Sequence, residues 1–154
     1  MPMTKNISKK AALLAAKAAD SKKAGEITVY DISGRSGLAD FMVISSVDSP
    51  PQMAAVCDET ERLIKTQFGR HPLHRDGADS KTWTALDYGG LMVHVFETSF
   101  RSFYALDRLY HWAPKVKWEG KSAKSGTAKK VPVRRKPPAK KARPRIKRKS
   151  IRSK

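Results

Sequence analysis

A chain of 154 residues has room for one ordinary domain, and its single cysteine, Cys57, excludes an internal disulfide framework and fits a reducing cytoplasm. No apolar run approaches the roughly 20 residues of a membrane-spanning helix, and the Ala-rich stretch from Ala11 to Ala19, interrupted by Lys17, lacks the apolar centre of a secretory signal. The formal net charge of +18 is divided very unevenly: residues 115–154 hold 18 Lys or Arg and one acid, for +17, and residues 1–114 hold 14 basic and 13 acidic side chains, for +1.

In chain order, the first element expected is a helix from about Ser8, a plausible cap, to Lys23, with Leu13 and Leu14 on its packing face and Gly25 ending it. That packing face argues against an organelle transit peptide, which the basic, Ala- and Ser-containing start otherwise suggests. Ile27–Ile32 alternates as a strand, and Phe41–Val47 is a second strand, apolar on both faces at its start as a covered central strand requires. Asp48-Ser49-Pro50-Pro51 opens a helix with proline in its first turn. Its buried face of Met53, Val56, Cys57, Thr60, Leu63, Ile64 and Phe68, at spacings of three and four, runs to the terminating Gly69, which makes Cys57 a buried, inert thiol. His71–Arg75 is a weaker strand.

Trp83–Tyr88 and Leu91–Glu97 flank Gly89-Gly90, a loop suited to a tight hairpin turn, with Tyr88 facing Leu91, Leu86 facing Val93 and Asp87 facing Met92. A last helix spans about Phe100 to Tyr110, with Phe103, Leu106 and Tyr110 on one core-facing stripe. The fold class is therefore α/β or α+β: a mixed sheet of about five strands flanked by helices, over residues 1–118. Residues 119–154 form a Lys-, Arg- and Pro-rich tail too poor in apolar side chains to offset its ordering entropy, and it is expected to be disordered when free.

Several short strings together resemble the RsfS/Iojap family of ribosomal silencing factors. They are Lys23-Ala24, Asp31-Ile32, Leu38-Ala39-Asp40-Phe41-Met42-Val43-Ile44, Gln52, Asp58-Glu59, Leu86-Asp87-Tyr88-Gly89, Val93-His94-Val95-Phe96 and Tyr104-Ala105-Leu106-Asp107-Arg108-Leu109. The likeness covers roughly residues 10–112. It implies a sheet related to the nucleotidyltransferase fold, and binding to the large ribosomal subunit through that subunit's protein number fourteen. The implied outcome is a steric block to subunit joining that lowers translation, with a homodimer permitted when the protein is free. Gly90 departs from the acid that family members often carry, Pro50-Pro51 departs from the usual small or polar residues, and the cationic tail lies outside the family core.

Aromatic and large apolar residues are the usual anchors of protein interfaces, so Trp83, Tyr88, Leu91 and Val93, near the hairpin turn, are the candidate docking residues. Alternating strand residues commonly face a core, the competing role for Leu86 and Val93. Asp87 either meets a basic partner or holds the adjacent turn through the backbone. In the tail, Lys129, Lys130, Arg134, Arg135, Lys136, Lys140, Lys141, Arg143, Arg145, Lys147, Arg148 and Lys149 form a polycation suited to ribosomal RNA through counterion release. A tail acting alone would make this a general RNA-binding protein.

No metal or cofactor is expected. His71 and His74 point to opposite faces of a strand, and His94 is more simply a hydrogen-bonded histidine of the sheet. An enzyme is not expected either. Nucleotidyl transfer needs carboxylates two apart on one strand to hold catalytic metals, and Asp40 is followed at that spacing by Met42.

Overall fold

The computed structural model describes residues 3–118. The order is α1 (Lys5–Ser21), β1 (Gly25–Asp31), β2 (Phe41–Val47), α2 (Pro50–Phe68), β3 (His74–Asp76), β4 (Trp83–Asp87), β5 (Leu91–Glu97), α3 (Thr98–Tyr104) and α4 (Leu106–Leu109). One five-stranded sheet runs β1-β2-β5-β4-β3. β2 pairs with β5 in parallel and the other pairs are antiparallel, so the sheet is mixed and the fold is α+β. A parallel pair needs a crossover rather than a tight turn, and α2 lies within that connection. Every residue of β2 is buried, as its two-faced apolar pattern requires.

The two faces of the sheet are covered differently. On one, Val29, Phe41, Val43, Leu86, Leu91, Val93 and Val95 pack under α1 and α2. On the other, Tyr30, Ile32, Met42, Ile44 and Phe96 meet Ala39, Ala113 and the half-buried Trp83, Leu106, Tyr110 and Trp112. The Arg35 guanidinium lies 4.8 Å from the centre of the Trp112 ring and ties the loop after β1 to this second layer.

Helix α1 differs from expectation in both start and packing. Thr4, not Ser8, caps it, with the threonine hydroxyl accepting from the Ile7 N–H at 3.3 Å. Its buried face is Ala11, Ala12, Ala15, Ala16, Ala18 and Ala19, while Leu13 and Leu14 are half-buried, because only small side chains fit a helix laid this close to a sheet. Ser8 is itself buried against the hairpin turn. A Cβ placed on Gly90 would meet Ser8 Oγ at 2.2 Å, so a side chain here requires Ser8 to shift. Gly89 takes the one positive φ of this turn, +90°, which suits glycine.

α2 begins and ends as its sequence indicates. The Ser49 hydroxyl accepts from the Gln52 N–H at 3.2 Å, the prolines occupy the first turn, and Gly69 is left-handed at φ +66°. The β4–β5 register pairs Leu86 with Val93 and Asp87 with Met92 as expected, and the Tyr88 N–H donates to the Leu91 carbonyl at 2.8 Å. β3 is shifted and shorter than expected, and exposed along its length. It is held by its pairing with β4 and by Arg75 donating to Glu61 of α2 at 3.2 Å.

The single C-terminal helix expected over Phe100–Tyr110 is broken. Ala105 adopts a left-handed φ of +54° and divides it into α3 and α4. In consequence Phe103 is 75% exposed rather than buried, while Leu106 and Tyr110 pack on the second face as expected.

Gly90→Ala is expected to destabilise the fold by about 1–3 kcal/mol through overpacking. Adding Ser8→Ala, which removes the colliding hydroxyl, should recover most of that loss. Urea midpoints of the two single variants and the double variant check this, and strictly additive losses would refute the contact.

Candidate functional site

The hairpin does not present the side chains expected of it. Tyr88, Leu91 and Val93 are 3%, 0% and 1% exposed on the face under α1 and α2, so in this fold they are core and not contact surface. The alternation that suggested an apolar patch is the inward half of two paired strands. Asp87 takes the local role, its Oδ1 accepting the Gly89 N–H at 2.8 Å while His74 Nδ1 lies 3.5 Å from Oδ2. What remains exposed around the turn is Leu38 on one loop and Leu73 on another. Of the four apolar candidates, Trp83 alone stays half-buried and available.

Trp83 anchors an aromatic column running outward from the sheet. It lies opposite Phe96 on β5, and the two rings stack with centroids 6.5 Å apart. Its indole N–H donates to His94 Nδ1 at 3.1 Å, and those rings are nearly parallel, with centroids 6.1 Å apart. Tyr104 of α3 then covers both Trp83 and Phe96, at 6.0 and 5.2 Å. Phe103 meets Tyr104 edge-on at 5.2 Å, and Phe100 meets Phe103 edge-on at 6.1 Å. Phe100, Phe103 and Tyr104 fall at helical spacings of three and four, hence on one side of α3. They are 36%, 75% and 41% exposed.

α3 is placed by its neighbours in sequence. Glu97 caps it, accepting from the Ser99 N–H at 3.0 Å. The Thr98 hydroxyl donates to the Val47 carbonyl at the end of β2, 2.9 Å away. Arg101 is the one buried residue of this helix. Its guanidinium donates to both carboxylate oxygens of Asp107, at 2.8 and 3.1 Å, to the Ser46 hydroxyl at 3.0 Å, and to the Glu26 carbonyl. That carbonyl lies at a register shift in β1, where Glu26 has φ +46°. The Tyr30 hydroxyl donates to Asp107 at 2.7 Å. Burial pushes the Asp107 carboxyl up, but the hydrogen bonds and charge of Arg101, helped by Tyr30, outweigh it and hold the group below the ordinary carboxylate range.

Sequence reasoning missed both the exposed aromatic helix face and the Arg101–Asp107 pair. The first was hidden by reading Phe103 as part of a continuous stripe with Leu106 and Tyr110. The spacing Phe100, Phe103, Tyr104 was a signal available in the sequence.

The chemistry expected of the other candidates is mostly passive. His94, 6% exposed, is the hydrogen-bonded sheet histidine foreseen, and burial lowers its pKa to about 4. Cys57 is fully buried, and burial pushes its thiol up to about 12. Asp40 stands at the head of β2 with its backbone N–H donating to the Gly90 carbonyl at 2.9 Å. Among the described residues no three His, Cys, Asp or Glu side chains converge as a metal site would need, and no helix is long and apolar enough to cross a membrane. The tail cations, from Lys129 to Lys149, and the expected disorder of that tail lie outside the described residues.

Two outcomes follow from these environments. Between pH 6.5 and about 4 the unfolded chain binds a proton at His94 that the folded chain refuses. Folding stability therefore falls as pH drops through that window and is intact above it, by about 3 kcal/mol in all. Urea unfolding as a function of pH should show this slope, and His94→Gln should flatten it. Cys57 should resist alkylation at neutral pH until the chain unfolds, so rapid labelling of the native protein would contradict its burial.

Comparison with known proteins places this architecture. The profile of the family described as "Ribosomal silencing factor during starvation" (RsfS) matches residues 5–149, running past the limit near residue 112 read from the motifs and into the basic tail. The chain is 34% identical over 107 residues to the "Ribosomal silencing factor RsfS" of Halalkalibacterium halodurans, covering 70% of this chain and 91% of that one. It is 35% identical over 104 residues to the RsfS of Bacillus subtilis, covering 66% and 85%. "Protein Iojap, chloroplastic" of Arabidopsis thaliana is 30% identical over 95 residues, which span 62% of this chain and 39% of that protein. A crystal structure from Bacillus halodurans superposes with a TM-score of 0.60 at 28% identity over 71% of this chain and 98% of the other. One from Chromobacterium violaceum, at 24% identity, shares the fold with a TM-score of 0.63 over 76% and 96%. With a family match spanning nearly its whole length, the chain belongs to the RsfS family of ribosomal silencing factors, regulators of translation associated with the ribosome.

Proposed function

We propose that this protein docks on the large ribosomal subunit through that subunit's protein number fourteen and sterically blocks joining of the small subunit, repressing translation in the cytoplasm. The observation that carries the docking surface is the aromatic side of α3, where Phe100, Phe103 and Tyr104 stand exposed on the Trp83 column. Contiguous exposed aromatics backed by a rigid sheet are what protein interfaces use as anchors. Blocking by occupancy requires no catalytic group and no cofactor.

The cationic tail supports the same reading by a second route. Its Lys and Arg side chains, from Lys129 to Lys149, would hold ribosomal RNA phosphates near a docked body and add avidity. That charge also favours a second reading, a general RNA-binding protein in which the body is only a scaffold. Salt separates the two, because polycation binding weakens steeply with ionic strength and apolar docking does not.

Co-sedimentation of the full chain with separated large and small subunits over a range of salt tests the proposal. Selective binding to the large subunit should persist at salt that removes binding to free RNA, with fewer joined ribosomes after mixing. Phe103→Ala should weaken that selective binding about ten- to hundredfold with little change in stability, and Trp83→Ala should weaken it less. Equal binding to both subunits that vanishes with salt would assign the function to the tail.

A further inference from the structure

We infer that Arg101 and Asp107 are positioning residues for the docking face, an ion pair that holds the α3–α4 corner and so keeps Phe103 turned outward. The inference rests on the docking role of α3 proposed above. Its own support is geometric. In a continuous helix, residues six apart are rotated about 240° from one another and rise about 9 Å, so Arg101 and Asp107 could not meet. They make two charge-assisted hydrogen bonds, at 2.8 and 3.1 Å, because Ala105 turns left-handed between them.

Left-handed backbone is unfavourable for alanine, and nothing in the local sequence asks for it. The stripe of Phe103, Leu106 and Tyr110 favours the opposite outcome, one straight helix with Phe103 on the side that faces the core. The corner is held from outside the helix, by the sheet. Arg101 fills the irregularity in β1 through the Glu26 carbonyl and the Thr28 hydroxyl, the latter at 3.3 Å, and donates to the Ser46 hydroxyl of the neighbouring β2. Asp107 is held from the other side by Tyr30. Removing the carboxylate leaves the helical preference unopposed, and Phe103 and Tyr104 lose their fixed direction.

The experiment is a double-mutant cycle on the full chain, Asp107→Asn against Phe103→Ala, read as affinity for the large subunit. Asp107→Asn should weaken binding about tenfold in the wild-type background and have almost no effect once Phe103 is gone, since it acts through that ring. A role in overall stability alone would give equal factors in both backgrounds. Hydrogen exchange gives an independent readout: residues 98–109 should exchange faster in Asp107→Asn while β2 and β5 amides stay unchanged. Tyr30→Phe, which removes a single hydrogen bond to Asp107, should move both readouts in the same direction by less, and it decides the matter should Asp107→Asn fail to fold. Wild-type binding by Asp107→Asn, or equal factors in both backgrounds, overturns the positioning role and leaves the docking face standing. Wild-type binding by Phe103→Ala overturns the docking face and the positioning role with it.

Discussion

The parallel pairing of β2 with β5 is the constraint from which the rest of the structure follows. Both strands lie in the interior of the sheet, and each must have both faces covered if its apolar residues are to leave water. The parallel direction also requires the chain to cross back between them, which takes α2 over one face. The alanine side of α1 completes that layer, and its small side chains let two helices share a sheet only five strands wide.

The opposite face is covered by less. Two short helices and the segment ending at Ala113 must cover Tyr30, Ile32, Met42, Ile44 and Phe96. Seven- and four-residue helices supply little area, so aromatic rings do the covering: Trp83 and Tyr104 pack on each other and on Phe96, and Trp112 packs beside Tyr110. A short helix that turns some aromatics inward and others outward at successive positions leaves part of its apolar area in water. That residue of uncovered surface is the physical origin of the proposed docking face.

The Arg101–Asp107 pair, buried at the arginine and half-exposed at the carboxylate, serves direction more than stability. Desolvating Arg101 costs part of what the attraction returns, and apolar residues could fill the same volume. Such residues would not specify the corner at Ala105, because apolar contacts are indifferent to angle and bidentate hydrogen bonds are not. The irregularity in β1 fits this account, since it releases the Glu26 carbonyl from the strand ladder to accept from Arg101.

Legible in the sequence were the strands β1, β2, β4 and β5 and their order along the chain, the β4–β5 register and both ends of α2; β3 was legible only approximately. Each is written in local signals: period-two alternation in β4 and β5, the unbroken apolar run of β2, Ser49 with two prolines, and Gly69. The buried thiol of Cys57 and the sheet position of His94 came with those elements. Tertiary structure decided what local pattern leaves open. Alternation in the hairpin separates two faces but does not say which one meets α1 and α2, so Tyr88, Leu91 and Val93 proved to be core. Helical spacing joined Phe103 to Leu106 and Tyr110, yet an ion pair anchored on β1 broke that helix and turned Phe103 outward. The strand facing Arg101 lies some seventy residues earlier in the chain, and a contact at that separation leaves no trace in the periodicity of either segment.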